Sequence, residues 1–397
     1  MIKRLSVVNF KSLRDVAVEF DPLTVLIGKS GAGKSNVVDA LRFLRRYLAS
    51  RSDNFVGQGE GWARLMCETA SQRDIAFSVD FSLPGAESDF SYWLKFGPPT
   101  LFRTNLARPI PGRDYQMTLR EEKLSFGSRP LYHQQDGQWI KPPDVAQPPS
   151  PGQLALGVVY GISEAQLAYQ FLTRGIGCYD FSSDVLRPRN SKNTPADAGS
   201  SGLQDDGSNY LQVFERIAEN ISDASPLREI MSGLRKLNPS VHTLESEISG
   251  QDLVVGHRVA DLPAMSLSLA QQSEGFRRFL AHLLALYQIP GKQTLIFEEP
   301  EKGIYPKAFD TLGSYLNRAA GRSAQIIMTT HNPLLLDHFN VDNIRVVEMP
   351  QLETRIGRVA TDQLKSVRED LMTSGELLTV DEARTDATAE LRAAAAS

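Results

Sequence analysis

The chain has 397 residues, of which 41% are hydrophobic and 23% are charged, and its formal net charge is −4. Because a single core stops growing near about 250–300 residues, two or three packed units are expected. The acidic balance excludes a general attraction to nucleic acid or anionic membranes, and no apolar run approaches the ~20 residues of a membrane span. The N-terminal segment lacks the unbroken apolar core of a signal peptide. The two cysteines do not have the CxxC spacing of a metal site. We expect a cytoplasmic protein without a membrane partner or a disulfide framework.

The first elements of the chain are predicted to be a β-hairpin, a buried strand and a helix. Two short β-rich runs, 5–10 and 16–20, precede the apolar run 24–27. Beyond residue 35, apolar side chains recur at helical spacing, and several arginines lie off that stripe. These arginines could contact DNA phosphates, but basic residues on the polar face of a helix are usually solvated. They are Arg42, Arg45, Arg46 and Arg51.

A glycine-rich run stands between this strand and this helix, and it matches G-x-x-x-x-G-K-[ST] at every defined position. Its residues are Gly28, Lys29, Ser30, Gly31, Ala32, Gly33, Lys34 and Ser35. Its glycines let backbone N–H groups converge on phosphate oxygens, and the helix N-terminus adds partial positive charge. Lys34 is expected to reach the β- and γ-phosphates of ATP, and the Ser35 hydroxyl to ligate Mg²⁺. The alternative is a chance match, which the strand–loop–helix context disfavours.

The middle of the chain, 95–240, has the composition of an inserted accessory region. Its first part is rich in Pro, Gly and polar residues, and the runs 115–119 and 138–140 could be strands of an antiparallel accessory sheet. The stretch 188–208 is rich in Ser, Asn, Asp and Gly, which predicts a mobile loop. We expect this region to separate two α/β lobes.

An apolar strand over 294–297 ends in two adjacent acids, Glu298 and Glu299. Carboxylates there lie at the carboxyl edge of a sheet, where nucleotide ligands sit, and adjacent strand residues point to opposite sides. We therefore assign Glu298 to the Mg²⁺ shell, as a ligand that binds directly or through water. Glu299 becomes the base that orients and deprotonates the attacking water. A solvated acidic turn is the alternative.

Two further motifs flank the acidic strand. A strand over 325–329 precedes His331, which stands where a γ-phosphate sensor would be expected, although a histidine at a strand end is often structural. Before the acidic strand, Ser273 and Gly275 open a helix. A Ser hydroxyl and a Gly amide at a helix start can bind an anion, but a simple N-cap by Ser273 explains them equally well.

The order of these motifs resembles that of ABC-type ATPase heads in the SMC and RecF branch. The chain looks closest to short AAA-type ATPases related to the ATPase half of OLD-family proteins. The resemblance is carried by residues 9–13, 28–41, 273–275, 298–301 and 330–333. It implies an α/β P-loop NTPase with an ABC-type head, a mixed sheet with antiparallel accessory strands, and an inserted α+β region. We divide the chain into an N-terminal lobe 1–94, an inserted accessory or lid region 95–240, a C-terminal lobe 241–360 and a tail 361–397.

The resemblance also implies a shared site. Ser273 and Gly275 would act on ATP held by a second protomer, so that a homodimer sandwiches ATP between its heads. Residues 301–306 would form the loop that passes between the two sites. A Q-loop glutamine is expected after the P-loop helix, with Gln58 and Gln72 as competing candidates.

Three residues depart from the pattern of the family. Ser30 stands where these P-loops commonly carry Asn, Tyr305 replaces the usual His before Pro306, and Asn332 replaces the usual Ser after His331. None of these changes removes a phosphate ligand or the base. Hydrolysis of ATP is therefore still expected.

The sequence thus predicts an ATP-binding, Mg²⁺-dependent ATPase that works as a molecular switch on DNA or on a separate effector protein. DNA repair and anti-phage defence are contexts by analogy alone. No acidic cluster with nuclease character follows His331, so an OLD-type nuclease half is not expected. One alternative is a nuclease within 95–240, although its acids show no metal-binding spacing: Asp114, Glu121, Glu122 and Asp136. The other alternative is a transporter ATPase subunit.

Overall fold

The computed structural model describes residues 1–50, 65–70, 73–98, 118–187, 202–246 and 252–387. Within these ranges the strands form sheets of seven, six and three strands. The three-stranded sheet consists of β10 (Val241–Ser246), β11 (Leu253–His257) and β12 (Met265–Ser268). No helix in these ranges is both long and apolar enough to cross a bilayer.

The seven-stranded sheet is antiparallel and has the order β2-β1-β4-β5-β6-β7-β8. Its strands are β1 (Ile2–Phe10), β2 (Leu13–Glu19), β4 (Ile75–Phe81), β5 (Phe90–Gly97), β6 (Thr118–Phe126), β7 (Arg129–Gln135) and β8 (Gln138–Lys141). Burial alternates along β5, as expected for a sheet with one face against the core. The predicted antiparallel accessory strands are confirmed at β6 and β8, whereas residues 115–117 lie outside the described ranges.

The six-stranded sheet has the order β16-β15-β3-β14-β13-β9 and is parallel except at β16. Its strands are β3 (Leu23–Ile27), β9 (Ile176–Tyr179), β13 (Thr294–Glu298), β14 (Gln325–Thr329), β15 (Ile344–Glu348) and β16 (Arg355–Arg358). All five residues of β3 are buried, because parallel sheets are covered on both faces. The predicted insert 95–240 therefore contributes β9 to this sheet and β6 to β8 to the other. Its boundaries stay a prediction.

Helices cover both faces of the six-stranded sheet. They are α1 (Lys34–Ser50), α2 (Ser163–Gln170), α3 (Tyr210–Ala218), α4 (Ser225–Leu237), α5 (Glu274–Tyr287), α6 (Phe309–Ala319), α7 (Pro333–Leu336), α8 (Thr361–Arg368) and α9 (Glu376–Thr379). Alternate residues of β13 belong to different hydrophobic cores. Ile296 packs in the core that contains α1 and the seven-stranded sheet, whereas Leu295 and Phe297 pack in the core that contains α5 and α6. The period of two along a strand produces this division.

Two expectations about polar segments are wrong in part. Residues 188–201 lie outside the described ranges, but the rest of the predicted mobile loop is packed: Leu203 is fully buried, and both carboxylate oxygens of Asp205 accept hydrogen bonds from Arg45. Arg42 is likewise paired, with Asp39 and Glu298. These two arginines are therefore committed to ion pairs inside the fold and are not a free basic face.

The acids of the accessory region also have structural partners. The buried carboxylate of Glu122 accepts hydrogen bonds from two tyrosines of the sheet, from Gln134 and from the backbone N–H groups of Ala155 and Leu156. Glu121 contacts Trp93 and His133. Asp136 pairs with Arg120, whereas Asp114 lies outside the described ranges.

Candidate active site

The P-loop connects the end of β3 to the start of α1. Gly28, Gly31 and Gly33 have φ values of 145°, 80° and 100°, which side chains rarely adopt. A Cβ at Gly28 would lie 2.0 Å from the carbonyl oxygen of Val347, and one at Gly33 would lie 2.1 Å from Oγ1 of Thr354. Glycine is therefore required at both positions for conformation and for space.

The side chain of Lys34 folds back onto the P-loop. Its Nζ donates hydrogen bonds to the carbonyl oxygens of Gly28 at 2.7 Å and Lys29 at 3.0 Å. Burial lowers the pKa of Lys34 to about 8, and the negative charge of Glu299 opposes this shift. An ammonium group held by neutral carbonyls and away from solvent is suited to gain a phosphate partner.

Ser35 and Glu298 supply the oxygens expected for Mg²⁺. The Ser35 hydroxyl favours the ionised form of Glu298, the last residue of β13. Arg42 Nη2 lies 2.6 Å from Glu298 Oε1, and its Nη1 lies 2.5 Å from Asp39. Burial raises the pKa of Glu298, whereas Arg42 and the Ser35 hydroxyl act against this. Hydroxyl and carboxylate oxygens are ligands that Mg²⁺ prefers, so the donor set fits the ion.

Glu299 and His331 meet beside the P-loop. Glu299 has φ of 44°, and its N–H donates to Thr329 at the end of β14. This left-handed turn follows directly after the strand and lets the Glu299 carboxylate reach His331, with 3.4 Å between Oε1 and Nε2. Burial lowers the pKa of His331, Lys34 lowers it further, and Glu299 opposes both. The lowered pKa favours the neutral form of the ring.

Ser273 caps the N-terminus of α5, where its Oγ accepts a hydrogen bond from Phe276 N at 3.2 Å. The simple N-cap is therefore present, and Ser273 itself is exposed. Gly275 packs against the loop after β13, since a Cβ there would lie 2.8 Å from the Gly303 carbonyl oxygen. The action of Ser273 and Gly275 on ATP stays a prediction.

A cavity of about 760 Å³ lies at the P-loop. Its described lining comprises residues 28–32, His331, 347–350, 377–380, Glu382 and Ala383. Lys29 Nζ lies 2.7 Å from Glu382 Oε1. The predicted tail 361–397 thus contributes one wall of the cavity. Ser273 and Gly275 are not part of this described lining.

The structure brings together most of the residues predicted from motifs: the P-loop, Glu298, Glu299 and His331. The sequence did not reveal Ser12 and Thr354 as P-loop contacts. Their hydroxyl oxygens lie 2.6 Å apart, Asn36 donates to Ser12, and Thr354 donates to the Ala32 carbonyl oxygen. Ser12 lies within the motif at 9–13, which is a sequence clue, but nothing local marks Thr354. Arg51, Gln58 and Gln72 lie outside the described residues.

The chain is similar in sequence to known proteins. OLD nuclease from Thermus scotoductus is 21% identical over 408 residues, which cover 94% of this chain and 66% of that protein. The DNA replication and repair protein RecF from Porphyromonas gingivalis is 39% identical over 69 residues, covering 16% of this chain and 19% of RecF. The chain thus spans less than two thirds of the length of these relatives.

Solved structures show the same fold. An SMC head bound to the C-terminal winged-helix domain of ScpA matches with a TM-score of 0.55 and 13% identity, over 92% of this chain and 99% of that one. An SMC head with an extended coiled coil, bound to the C-terminal domain of ScpA derived from Pyrococcus furiosus, matches with a TM-score of 0.51 and 13% identity over 93% and 99%.

A family model spans most of the chain. It is described as "AAA domain, putative AbiEii toxin, Type IV TA system" and matches residues 23–337, a range that includes the P-loop, the acidic strand and His331. With its SMC-head fold and its likeness to RecF and OLD nuclease, the chain belongs to this AAA-domain family and is an ABC-type ATPase.

Proposed function

We propose that the chain is a Mg²⁺-dependent ATP switch whose heads dimerise around ATP and act on DNA or on a separate effector protein. The observation that carries this proposal is the pair formed by the Glu299 carboxylate and the His331 ring, 3.4 Å apart. Lys34 and the Ser35–Glu298 pair are neighbours of this pair. A base beside phosphate and metal ligands is what hydrolysis of a phosphoanhydride requires.

Each side chain has a distinct role in this proposal. Lys34 binds the β- and γ-phosphates, and Ser35 and Glu298 hold Mg²⁺. An Mg²⁺ ion held by these residues would supply positive charge that stabilises the phosphate groups. Glu299 accepts the proton of the attacking water, and His331 donates a hydrogen bond toward the γ-phosphate. Arg42 favours the ionised form of Glu298 and holds it in place through their 2.6 Å contact.

The position of Ser273 and Gly275 supports the proposed dimer. These residues open α5, and neither is part of the described lining of the cavity at their own P-loop. A helix start with a Ser hydroxyl and a close-packed Gly favours an anion, and the ATP of a second copy is the anion that we propose. Such an interface is isologous, so two copies would complete two sites.

An output beyond ATP hydrolysis is also part of the proposal. The named relatives include a DNA replication and repair protein and a nuclease, and the named SMC heads are bound to ScpA domains. By analogy, DNA and a partner protein are the candidate targets, in DNA repair or phage defence. The buried, unpaired thiols of Cys67 and Cys178 support a reducing, cytoplasmic location.

Glu299→Gln tests the base and the dimer together. We expect ATP affinity within about threefold of wild type, turnover reduced by about 10²–10⁴-fold, and a dimer in light scattering with ATP and Mg²⁺. The amide keeps the shape of the side chain but accepts no proton, so ATP stays trapped. The exposed Glu219→Gln is the matched control and keeps wild-type turnover. Undiminished hydrolysis would remove Glu299 as the base, and a monomer at saturating ATP would contradict the sandwich.

A further inference from the structure

Glu301 is a buried acid in the loop after β13. It is 8% exposed, and Oε1 accepts hydrogen bonds from Thr330 Oγ1 at 2.6 Å and from the His331 backbone N–H at 3.1 Å. Its other oxygen, Oε2, is buried and has no hydrogen-bond partner within the described residues. A buried carboxyl oxygen without a hydrogen-bond partner lowers the stability of the fold, which points to a functional role for Glu301.

The carboxyl group of Glu301 holds the turn that carries His331. Because β14 ends at Thr329, His331 lies just beyond the sheet ladder. Thr330 is fully buried, and its Oγ1 bonds Glu301 while also accepting from the Asn332 N–H at 3.0 Å. One carboxyl group therefore fixes the backbone on both sides of the His331 side chain.

We propose that Glu301 is a positioning residue for ATP hydrolysis: its Oε1 fixes the His331 backbone and so keeps the imidazole beside Glu299. The inference rests on the roles proposed above for Glu299 and His331. Glu301 would touch neither ATP nor water, and it would act entirely through His331. Since misplacing a reacting group by about 1 Å can cost about 10²-fold in rate, a group that fixes the sensor matters for turnover.

The role depends on the reach of the side chain rather than on its charge. Glu301 makes no ion pair within the described residues, and an ionised carboxylate there would be a buried, uncompensated charge. Burial raises the pKa of Glu301, whereas the hydrogen bonds from Thr330 and from the His331 backbone lower it and the nearby Glu299 raises it. Both hydrogen bonds go to Oε1, and an amide oxygen in the same place would accept them as well.

Three substitutions separate reach from charge. Glu301→Gln keeps the length and the accepting oxygen, and we expect kcat within about threefold of wild type. Glu301→Asp keeps the acid but is one carbon shorter, and Glu301→Ala removes the group. For these two we expect kcat to fall by about 10–100-fold while Kd for ATP changes less than about threefold. Turnover, ATP titration and thermal unfolding are measured on the same full-length samples.

A double substitution tests whether Glu301 acts through His331. We expect His331→Ala combined with Glu301→Ala to be no slower than His331→Ala alone, because the positioned ring is already gone. A multiplicative loss would overturn the inference, as would an active Asp variant beside an inactive Gln variant. If Glu301→Ala does not fold, the Gln and Asp pair still decides. If His331→Ala keeps wild-type turnover, the proposed function has failed at His331. Loss in His331→Ala without loss in Glu301→Ala refutes only the positioning role.

Discussion

At the scale of a single residue, the lowered pKa of Lys34 predicts that nucleotide binding depends on pH. Its burial lowers the pKa to about 8, so the side chain begins to lose its proton just above neutral pH. The protonated form binds phosphate, and bound phosphate raises the pKa again. Binding therefore takes up a proton above pH 8, and affinity decreases as pH rises. Below pH 8, Lys34 is already charged and contributes no pH dependence.

We accordingly expect Kd for ATP to be flat from pH 7 to about 8 and then to rise by up to about tenfold per pH unit. Fluorescent-nucleotide titrations at constant ionic strength would measure this. Lys34→Arg is the matched control, because a guanidinium stays protonated throughout the range. Its affinity is expected to be lower but independent of pH. Equal slopes for both proteins would assign the titration to another group.

Motifs made the local part of the site predictable. Lys34 and Ser35, and likewise Glu298 and Glu299, are neighbours in sequence whose spacing is fixed by the strand–loop–helix and strand-end geometries. The role of Arg42 was missed because its partner Glu298 is 256 positions away. A helix pattern shows which face carries arginine, but it does not show which distant carboxylate will come to lie opposite.

Close packing between α5 and the loop after β13 gives a prediction at the scale of elements. Gly275→Ala should stabilise a helix by about 1 kcal/mol on propensity alone. Its Cβ, however, would lie 2.8 Å from the Gly303 carbonyl oxygen, which is backbone. Overpacking typically costs about 1–3 kcal/mol, so we expect a net loss of stability in urea unfolding without nucleotide.

Gly291→Ala is the control for this prediction, because the nearest heavy atom to its Cβ would be 3.8 Å away. We expect its free energy of unfolding to equal that of wild type or to rise slightly. If Gly275→Ala also proves as stable as wild type, α5 and the loop are not rigidly packed. In that case the contact would not connect the helix start at Ser273 to the loop that contains Glu301.

Elements with a strong pattern were predicted well, whereas some of the short ones were missed. The helix after the P-loop and the acid-tipped strand have long apolar stripes or unmistakable ends. In contrast, β9 has only four residues, Ile176–Tyr179, and nothing local assigns it to the six-stranded sheet. The segment 202–208 has a polar composition typical of loops, yet Leu203 and Asp205 pack against distant partners. Tertiary contacts override composition at both places.

At the scale of the whole molecule, a shared site predicts complementation between two inactive proteins. Lys34→Ala lacks the phosphate-binding lysine, whereas Ser273→Arg blocks the exposed start of α5. A mixed dimer contains one site with both parts intact. If protomers mix at random, roughly a quarter of wild-type turnover should return, because half of the dimers are mixed and each has one good site.

Turnover of the mixture is measured against each variant alone at the same total concentration. A Ser273→Ala protein mixed in the same way is the control for size, since alanine removes the hydroxyl without blocking the surface. If mixing Lys34→Ala with Ser273→Arg restores nothing while Ser273→Arg alone still dimerises, the two copies do not share sites.

The class of fold could be predicted from the order of the motifs. The contacts between the C-terminal tail and the six-stranded sheet could not. The predicted tail shows this best: Glu382 reaches Lys29 of the P-loop, and Thr385 hydrogen-bonds Glu348 at the end of β15. Such pairs depend on how β15 and α8 bring the end of the chain back to the sheet. The spacing of residues in the sequence does not predict which residues of the tail contact the sheet.

The place of β3 between β14 and β15 has a consequence for synthesis of the protein. The strand that leads into the P-loop is complete within the first 27 residues, yet its hydrogen-bonding partners on either side begin at Gln325 and Ile344. During synthesis on the ribosome, β3 therefore cannot pair with β14 and β15 until most of the chain has been made, and the sheet that supports the P-loop forms late. Nascent chains stopped before Gln325 would contain the whole P-loop sequence and still retain no ATP.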